Sequence, residues 1–174
     1  MPIFSIGHGT RPINELLTLL KKYDIAWLAD VRTIPYSKFN PQYNRESLHR
    51  SLKNEDIHYL YLGDSLGGRP LDPSCHDING RVDYHLVRQQ DFFKKGIERL
   101  QEAYKQKLKV AIMCSERSPE KCHRSKLIGQ ALQDIHIPTQ HIDEQGELKD
   151  QKTVMLLREK LTTPPGLPIQ TTLL

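Results

Sequence analysis

The sequence predicts an α/β fold, a three-layer αβα sandwich around a mostly parallel sheet of about five strands. Three observations carry this: short runs that are almost wholly apolar, amphipathic helical stripes between them, and turn or capping residues where one passes into the next. A strand covered by helices on both faces reads as a continuous apolar run rather than an alternating one. The length of 174 residues suits one domain, and a core of that size buries roughly two thirds of the unfolded surface without disulfides or metal. Residues 1–161 are therefore read as a single domain.

Ile3 to Ile6 is the first strand, and Gly7-His8-Gly9 is the turn that ends it. Thr10 and Pro12 suit a helix start, and Ile13, Leu16, Leu17 and Leu20 repeat at helical spacing. Ala26 to Ala29 runs into Asp30-Val31-Arg32 as a second buried strand with its polar residues at the C-terminal end. Ser37 to Tyr43 is irregular, Asn44 to Asn54 a short helix with Leu48 and Leu52 inward, and Ile57 to Leu62 a third strand. Gly63 to Asp83 has no period and is broken by Gly67-Gly68, Pro70, Pro73 and Gly80, which marks a long functional or covering loop. Tyr84 to Gln106 reads as one long helix, and Val110 to Met113 as the fourth strand. Ser118-Pro119 resembles the start of a helix whose stripe is Leu127, Ile128, Ala131, Leu132 and Ile135. Pro138 to Ile142 is the fifth strand, Asp150 caps a last helix, and Thr162 to Leu174 reads as a mobile tail with three prolines.

Composition narrows the function classes. Cys, Gly and Pro are not enriched and no apolar run approaches a membrane span, so collagen-like, disulfide-scaffold and membrane classes are excluded. Met1-Pro2-Ile3-Phe4 lacks the basic-then-apolar pattern of a secretory signal, so the expected compartment is the cytoplasm. There the three cysteines, Cys75, Cys114 and Cys122, are expected as reduced thiols. The formal charge of +4 hides an uneven distribution: residues 1–87 balance at 10 basic and 10 acidic, whereas Arg88 to Lys126 holds 11 basic against 5 acidic. That segment either steers an anionic ligand or is a solvated helix face.

In a parallel α/β sheet, ligands bind beyond the carboxyl ends of the strands. Here that edge collects His8 after the first strand, Asp30 and Arg32 after the second, and Cys114 and Glu116 after the fourth. A helix from Ser118 would carry Cys122 in its first turn and turn His123 and Arg124 toward the same edge. Its dipole, together with Arg124, would lower a thiol pKa or hold an anion. Arg32 and Arg124 are candidate anion binders, Glu116 and His8 candidate acid/base groups, and Cys114 the candidate nucleophile. Asp30 and Arg32 could equally pair as structural ions, and Cys114 could simply pack at a strand end. Gly67 and Gly68 permit close backbone approach to a ligand or serve a plain turn. The pocket reading requires His8, Arg32, Cys114 and His123 to line one cavity.

The chain resembles the domain of unknown function 488 family from Ile3 to about Ile142. The resemblance rests on Ser5-Ile6-Gly7-His8, Asp30-Val31-Arg32 with Pro35 and Ser37, Leu66-Gly67-Gly68, Met113-Cys114-Ser115-Glu116, Cys122-His123-Arg124 and His141-Ile142. Gly9-Thr10 departs mildly from the family pattern. The resemblance implies an α/β fold with a polar site at the strand ends, and no substrate or activity.

The leading functional expectation is an enzyme acting on an anionic small-molecule or nucleotide-like substrate, with no cofactor and no metal assigned. A nucleic-acid-binding protein using residues 88–126 is the first alternative, although few aromatics accompany its lysines. A metal-supported structural domain is the second, with Cys114, Cys122 and His123 joined by His8 or His141; no Cys-x-x-Cys is present and adjacent ligands are unusual. No membrane partner is expected, and the sequence does not indicate an oligomeric state.

Overall fold

A computed structural model describes residues 1–162. The tail read from Thr162 onward lies outside the described residues except for Thr162 itself. The α/β prediction holds: strands β1 (Ile3–Gly7), β2 (Trp27–Asp30), β3 (His58–Tyr61), β4 (Val110–Cys114), β5 (Thr139–Ile142) and β6 (Leu148–Asp150) form one sheet in the order β3-β2-β4-β1-β5-β6. All neighbours are parallel except β5 and β6, a short antiparallel pair that adds a sixth strand to the expected five.

Side chains alternate between two cores. On one face Phe4, Ile6, Leu28, Ala111 and Met113 pack against α1 (Ile13–Lys22) and α2 (Arg45–Lys53), through Leu16, Leu20, Leu48 and Leu52. On the other, Ile3, Ala29, Val110, Ile112 and Cys114 meet α3 (Gly63–Leu66), α5 (Asp91–Lys105) and the segment from Arg124 to Asp134, through Leu66, Phe93, Leu100, Leu127 and Ile128. Each fully buried aliphatic side chain contributes roughly 1.5–3 kcal/mol of transfer free energy.

Four helix-to-strand connections share one device. Asp24, Asp56, Lys107 and His136 each adopt positive φ, at 52°, 56°, 57° and 60°. The next amide in each case (Ile25, Ile57, Leu108, Ile137) donates back to a carbonyl five residues earlier. This left-handed cap satisfies the last carbonyls of the helix and drops an apolar residue into the core before the next strand.

The long helix expected over Tyr84 to Gln106 is broken. Gln90 is extended (ψ 142°), ending α4 (Tyr84–Gln89) and starting α5, with Asp83 capping α4 through the His85 amide. The helix expected from Ser118 is also different. Pro119–Lys121 is a 3₁₀ turn, Cys122 is extended, Arg124–Gly129 is π-helical, and only Gln130–Asp134 is α-helical, as α6. The last helix, α7 (Gln151–Thr162), starts where expected, with Asp150 Oδ1 accepting the Thr153 amide at 2.7 Å. No helix among the described residues is long and apolar enough to cross a membrane.

Candidate functional site

At the carboxyl edge of the sheet, β4 ends on Cys114, and the irregular run to the π-helix brings Cys122 and His123 back beside it. Cys114 Sγ lies 3.6 Å and Cys122 Sγ 3.7 Å from His123 Nδ1. His123 Nε2 lies 3.2 Å from the Val31 carbonyl, which can only accept, so Nε2 carries the hydrogen and Nδ1 faces the sulfurs. Gly68 packs on the imidazole: a β-carbon there would stand 2.6 Å from His123 Cγ. Gly68 therefore covers the site by close packing, whereas Gly67 packs on the Gly63 carbonyl and Thr33.

Arg124 is fully buried. Its Nε donates to Cys122 Sγ at 3.2 Å, Nη1 to Ser5 Oγ at 3.2 Å and Nη2 to the Glu116 carbonyl at 2.6 Å, while its backbone amide also reaches Cys122 Sγ at 3.5 Å. None of the salt bridges among the described residues involves it. A second layer fixes the guanidinium. Ser5 Oγ donates to His141 Nδ1 at 2.6 Å, His141 Nε2 donates to Gln151 Oε1 at 2.7 Å, and Gln151 Nε2 donates to the Ser125 carbonyl at 3.0 Å. Burial holds His141 neutral, with its pKa at about 4, which suits a ring that accepts on one nitrogen and donates on the other.

The two thiols divide one charge. Burial opposes ionisation of Cys122, but the Cys114 S–H, Arg124 and His123 outweigh it and hold Cys122 well below the ordinary thiol range. Cys114 moves the opposite way, because it donates to Cys122, is itself buried, and lies beside the Cys122 charge. Cys122 is thus the more acidic thiol of the pair. The expected site of the thiolate is thus corrected in its cause: Cys122 lies before the π-helix rather than in an α-helical first turn, and side chains supply most of its donors.

A second polar group sits one strand away. Asp30 and Arg32 form a buried, two-pronged ion pair, Nε to Oδ1 at 2.9 Å and Nη2 to Oδ2 at 2.6 Å, and Tyr59 Oη donates to Asp30 Oδ2 at 2.9 Å. Arg32 also reaches the Tyr43 carbonyl at 2.8 Å and His8 Nε2 at 3.4 Å. His8 donates from Nδ1 to the Gly9 carbonyl at 2.8 Å and stacks on Tyr43 at 4.1 Å. Desolvation lowers its pKa to about 4, so it is a neutral acceptor that orients Arg32.

The structure thus brings His8, Asp30, Arg32, Cys114, Cys122, His123 and Arg124 to one sheet edge. They form a packed polar layer rather than the walls of an open cavity. An apolar cavity of about 250 Å³ lies instead near the amino ends of β2 and β4, lined by Trp27, Leu60, Leu100 and Val110 among others. Glu116 is not with them: its side chain is exposed and accepts the Ser118 amide at 3.2 Å. Arg32 is taken by Asp30, and Arg124 by sulfur, hydroxyl and carbonyl, so neither offers a free fork to a ligand.

Two participants, Ser5 and Tyr84, were not among the sequence candidates, and His141 entered there only as a possible metal ligand. Ser5 and His141 face each other across β1 and β5, and Tyr84 is half-buried, its ionisation disfavoured by burial and by the neighbouring Cys122. Only the parallel register of β1 and β5 could have paired Ser5 with His141. The donor atoms of Cys114, Cys122 and His123 lie within 4.8 Å of one another, close enough to hold a metal. The Arg124 Nε hydrogen points at Cys122 Sγ from 3.2 Å, so that sulfur already accepts a hydrogen bond from a cation. In the basic segment, Arg88 pairs with Asp134, Lys94 with Asp91, Lys109 with Asp24 and Arg117 with Glu15. Four of the eleven basic residues of the segment are thus paired with carboxylates.

The family model described as Domain of unknown function DUF488 matches residues 12–131. The match takes in both cysteines of the site, Asp30, Arg32 and Arg124, and leaves His8 and His141 outside. No curated protein and no solved structure matches the chain.

Proposed function

The chain belongs to the DUF488 family, whose description assigns no activity, and from the site itself we propose that it is a thiol-dependent enzyme with Cys122 as nucleophile. One observation carries the reading. A fully buried arginine without a carboxylate partner directs its Nε hydrogen at Cys122 Sγ, 3.2 Å away. A buried charge is costly unless paired, by several kcal/mol for each ion, and among the groups in reach of Arg124 only a thiolate supplies the opposite charge. In this reading Cys122 attacks an electrophilic centre, Arg124 stabilises the sulfur charge before attack, and the Cys114 S–H with His123 Nδ1 supplies or accepts the proton. Tyr84 lies within electrostatic reach of both cysteines and of the exposed Arg69. Such a cation near the site supports an anionic small-molecule or nucleotide-like substrate.

The test is alkylation by iodoacetamide as a function of pH, with each cysteine located by peptide mapping and a chelator present or absent. Cys122 is expected to alkylate with an apparent pKa well below the free value of about 8.5, and Cys122→Ser to abolish that phase. Titration of both thiols at or above the free value overturns the proposal. A profile that changes on chelation overturns it too, and assigns the same three donors to a metal.

A further inference from the structure

A single nucleophilic thiolate does not account for the second thiol. Cys114 and Cys122 approach the same imidazole nitrogen from 3.6 and 3.7 Å, and their sulfurs lie within 4.8 Å of one another. Cys122 is joined to Cys114 only through the irregular run of residues 115–121, and its own backbone is extended between a 3₁₀ turn and a π-helix. The sulfur can therefore shift without breaking an α-helical turn, and an S–S bond of about 2 Å requires the two side chains to close by less than about 3 Å. π-Helical turns of this kind concentrate at functional sites. Cys122 is 3% exposed and Cys114 7%, so both sulfurs are largely shielded in this conformation and a small reagent meets the least obstruction.

We propose that Cys114 and Cys122 form a two-cysteine redox centre that reduces a small hydroperoxide, Cys122 reacting first and Cys114 resolving the product as an intramolecular disulfide. This rests on Cys122 being the reactive thiol. In the first step the Cys122 thiolate attacks one peroxide oxygen. The S–O bond forms and the O–O bond breaks, the sulfur loses two electrons, and the departing hydroxide takes the Cys114 proton to become water. In the second step the Cys114 thiolate attacks the sulfenic sulfur, the S–S bond forms, the S–O bond breaks and hydroxide leaves. One thiolate, one thiol and hydrogen peroxide thus give a disulfide, water and hydroxide. A dithiol co-reactant returns two electrons and two protons to reopen the pair. Arg124 favours the first step by holding the attacking sulfur as an anion. Cys75, fully buried in the core beside the Pro73–Cys75 turn, takes no part.

The experiment treats the reduced protein with one equivalent of hydrogen peroxide in chelator, then combines intact mass with peptide mapping. The expected product has lost about 2 Da, carries a Cys114–Cys122 linkage, and is restored by dithiothreitol. In Cys114→Ser the reaction is expected to stop at a Cys122 sulfenic acid that dimedone traps, whereas Cys122→Ser is expected to react roughly 100-fold more slowly. If Cys122 alkylates as a low-pKa thiol but peroxide leaves no linkage, or yields only a dimedone adduct in the unsubstituted protein, this inference fails and the nucleophile reading stands. If Cys122 neither alkylates nor oxidises, both fail. The mass and linkage of the unsubstituted protein decide the matter even where a variant does not fold.

Discussion

Two buried arginines stand at the same edge of the sheet and meet opposite fates. Arg32, on the chain just after β2, lies against the carboxylate of Asp30, which is further bonded by Tyr59. Arg124, at the start of the π-helix, has a sulfur, a hydroxyl and a carbonyl instead. The first arrangement is charge-neutral without further adjustment and works as a structural joint that also binds His8 and the Tyr43 carbonyl. The second is neutral only if a thiol gives up its proton. The same residue type in the same layer thus makes a rigid ion pair in one place and an activated sulfur in the other, and the difference lies in the partner rather than in the arginine.

The comparison can be broken most forcefully at its inert half. Asp30→Ala strands Arg32 as an uncompensated buried charge and is expected to lower stability by about 3–5 kcal/mol, read from urea unfolding, while the folded fraction keeps a low-pKa Cys122. Loss of both properties together would show that the two groups are one network.

Acidification acts on both halves through histidine. His8 and His141 are held at about 4, against 6.5 for the free group. Between those values the unfolded chain binds protons that the folded chain refuses. Stability is therefore unaffected by these groups above pH 6.5, falls as the pH drops from 6.5 toward 4, and levels off below. Each histidine contributes up to about 3 kcal/mol to the loss. Histidine proton resonances that titrate near 6.5 in the folded protein would contradict it.

Sharper discrimination comes from the arginines themselves. Arg124→Leu removes the side-chain donor to Cys122 and keeps the backbone one, and a hydrogen bond to a charged acceptor is worth about 1.5–3 kcal/mol. Alkylation of Cys122 at neutral pH is expected to slow by roughly 10-fold or more, whereas Arg32→Leu leaves the apparent thiol pKa unchanged. Gly68→Ala pushes a methyl into the His123 ring and is expected to cost about 1–3 kcal/mol as overpacking, with a shifted thiol pH profile as the sign that His123 moved. The smallest effect belongs to Glu116→Gln: its exposed carboxylate only accepts the Ser118 amide, so stability changes by less than about 1 kcal/mol and Cys122 reactivity does not change.

Much of the architecture was legible because it follows from local pattern. The continuous apolar runs at Ile3 to Ile6, Ala26 to Ala29 and Val110 to Met113 became central parallel strands, as burial on two faces requires. The turns at Asp24, Asp56, Lys107 and His136 gave no such signal, since none is glycine and each takes positive φ only because the next apolar residue is anchored in the core. The breaks at Gln90 and Cys122 were missed for a related reason. Helical periodicity continues through both, and at Cys122 the backbone is redirected where His123 reaches Cys114 and the Val31 carbonyl. The candidate site was legible as a set of residue types at strand ends. Glu116 was drawn into it only because sequence proximity to Cys114 says nothing about which way an exposed side chain turns.

The sequence by itself determined the α/β pattern, the edge at which the polar residues gather and the presence there of two cysteines, two histidines and two arginines. Only the tertiary structure decided which cysteine carries the charge. Ionisation of a buried thiol depends on dehydration and on donors within a few ångströms, and these come from β1, β4, β5, the π-helix and α7. Ser5 and His141, which orient the arginine that decides the matter, are 136 positions apart in the chain, a distance that no local reading of residues can close.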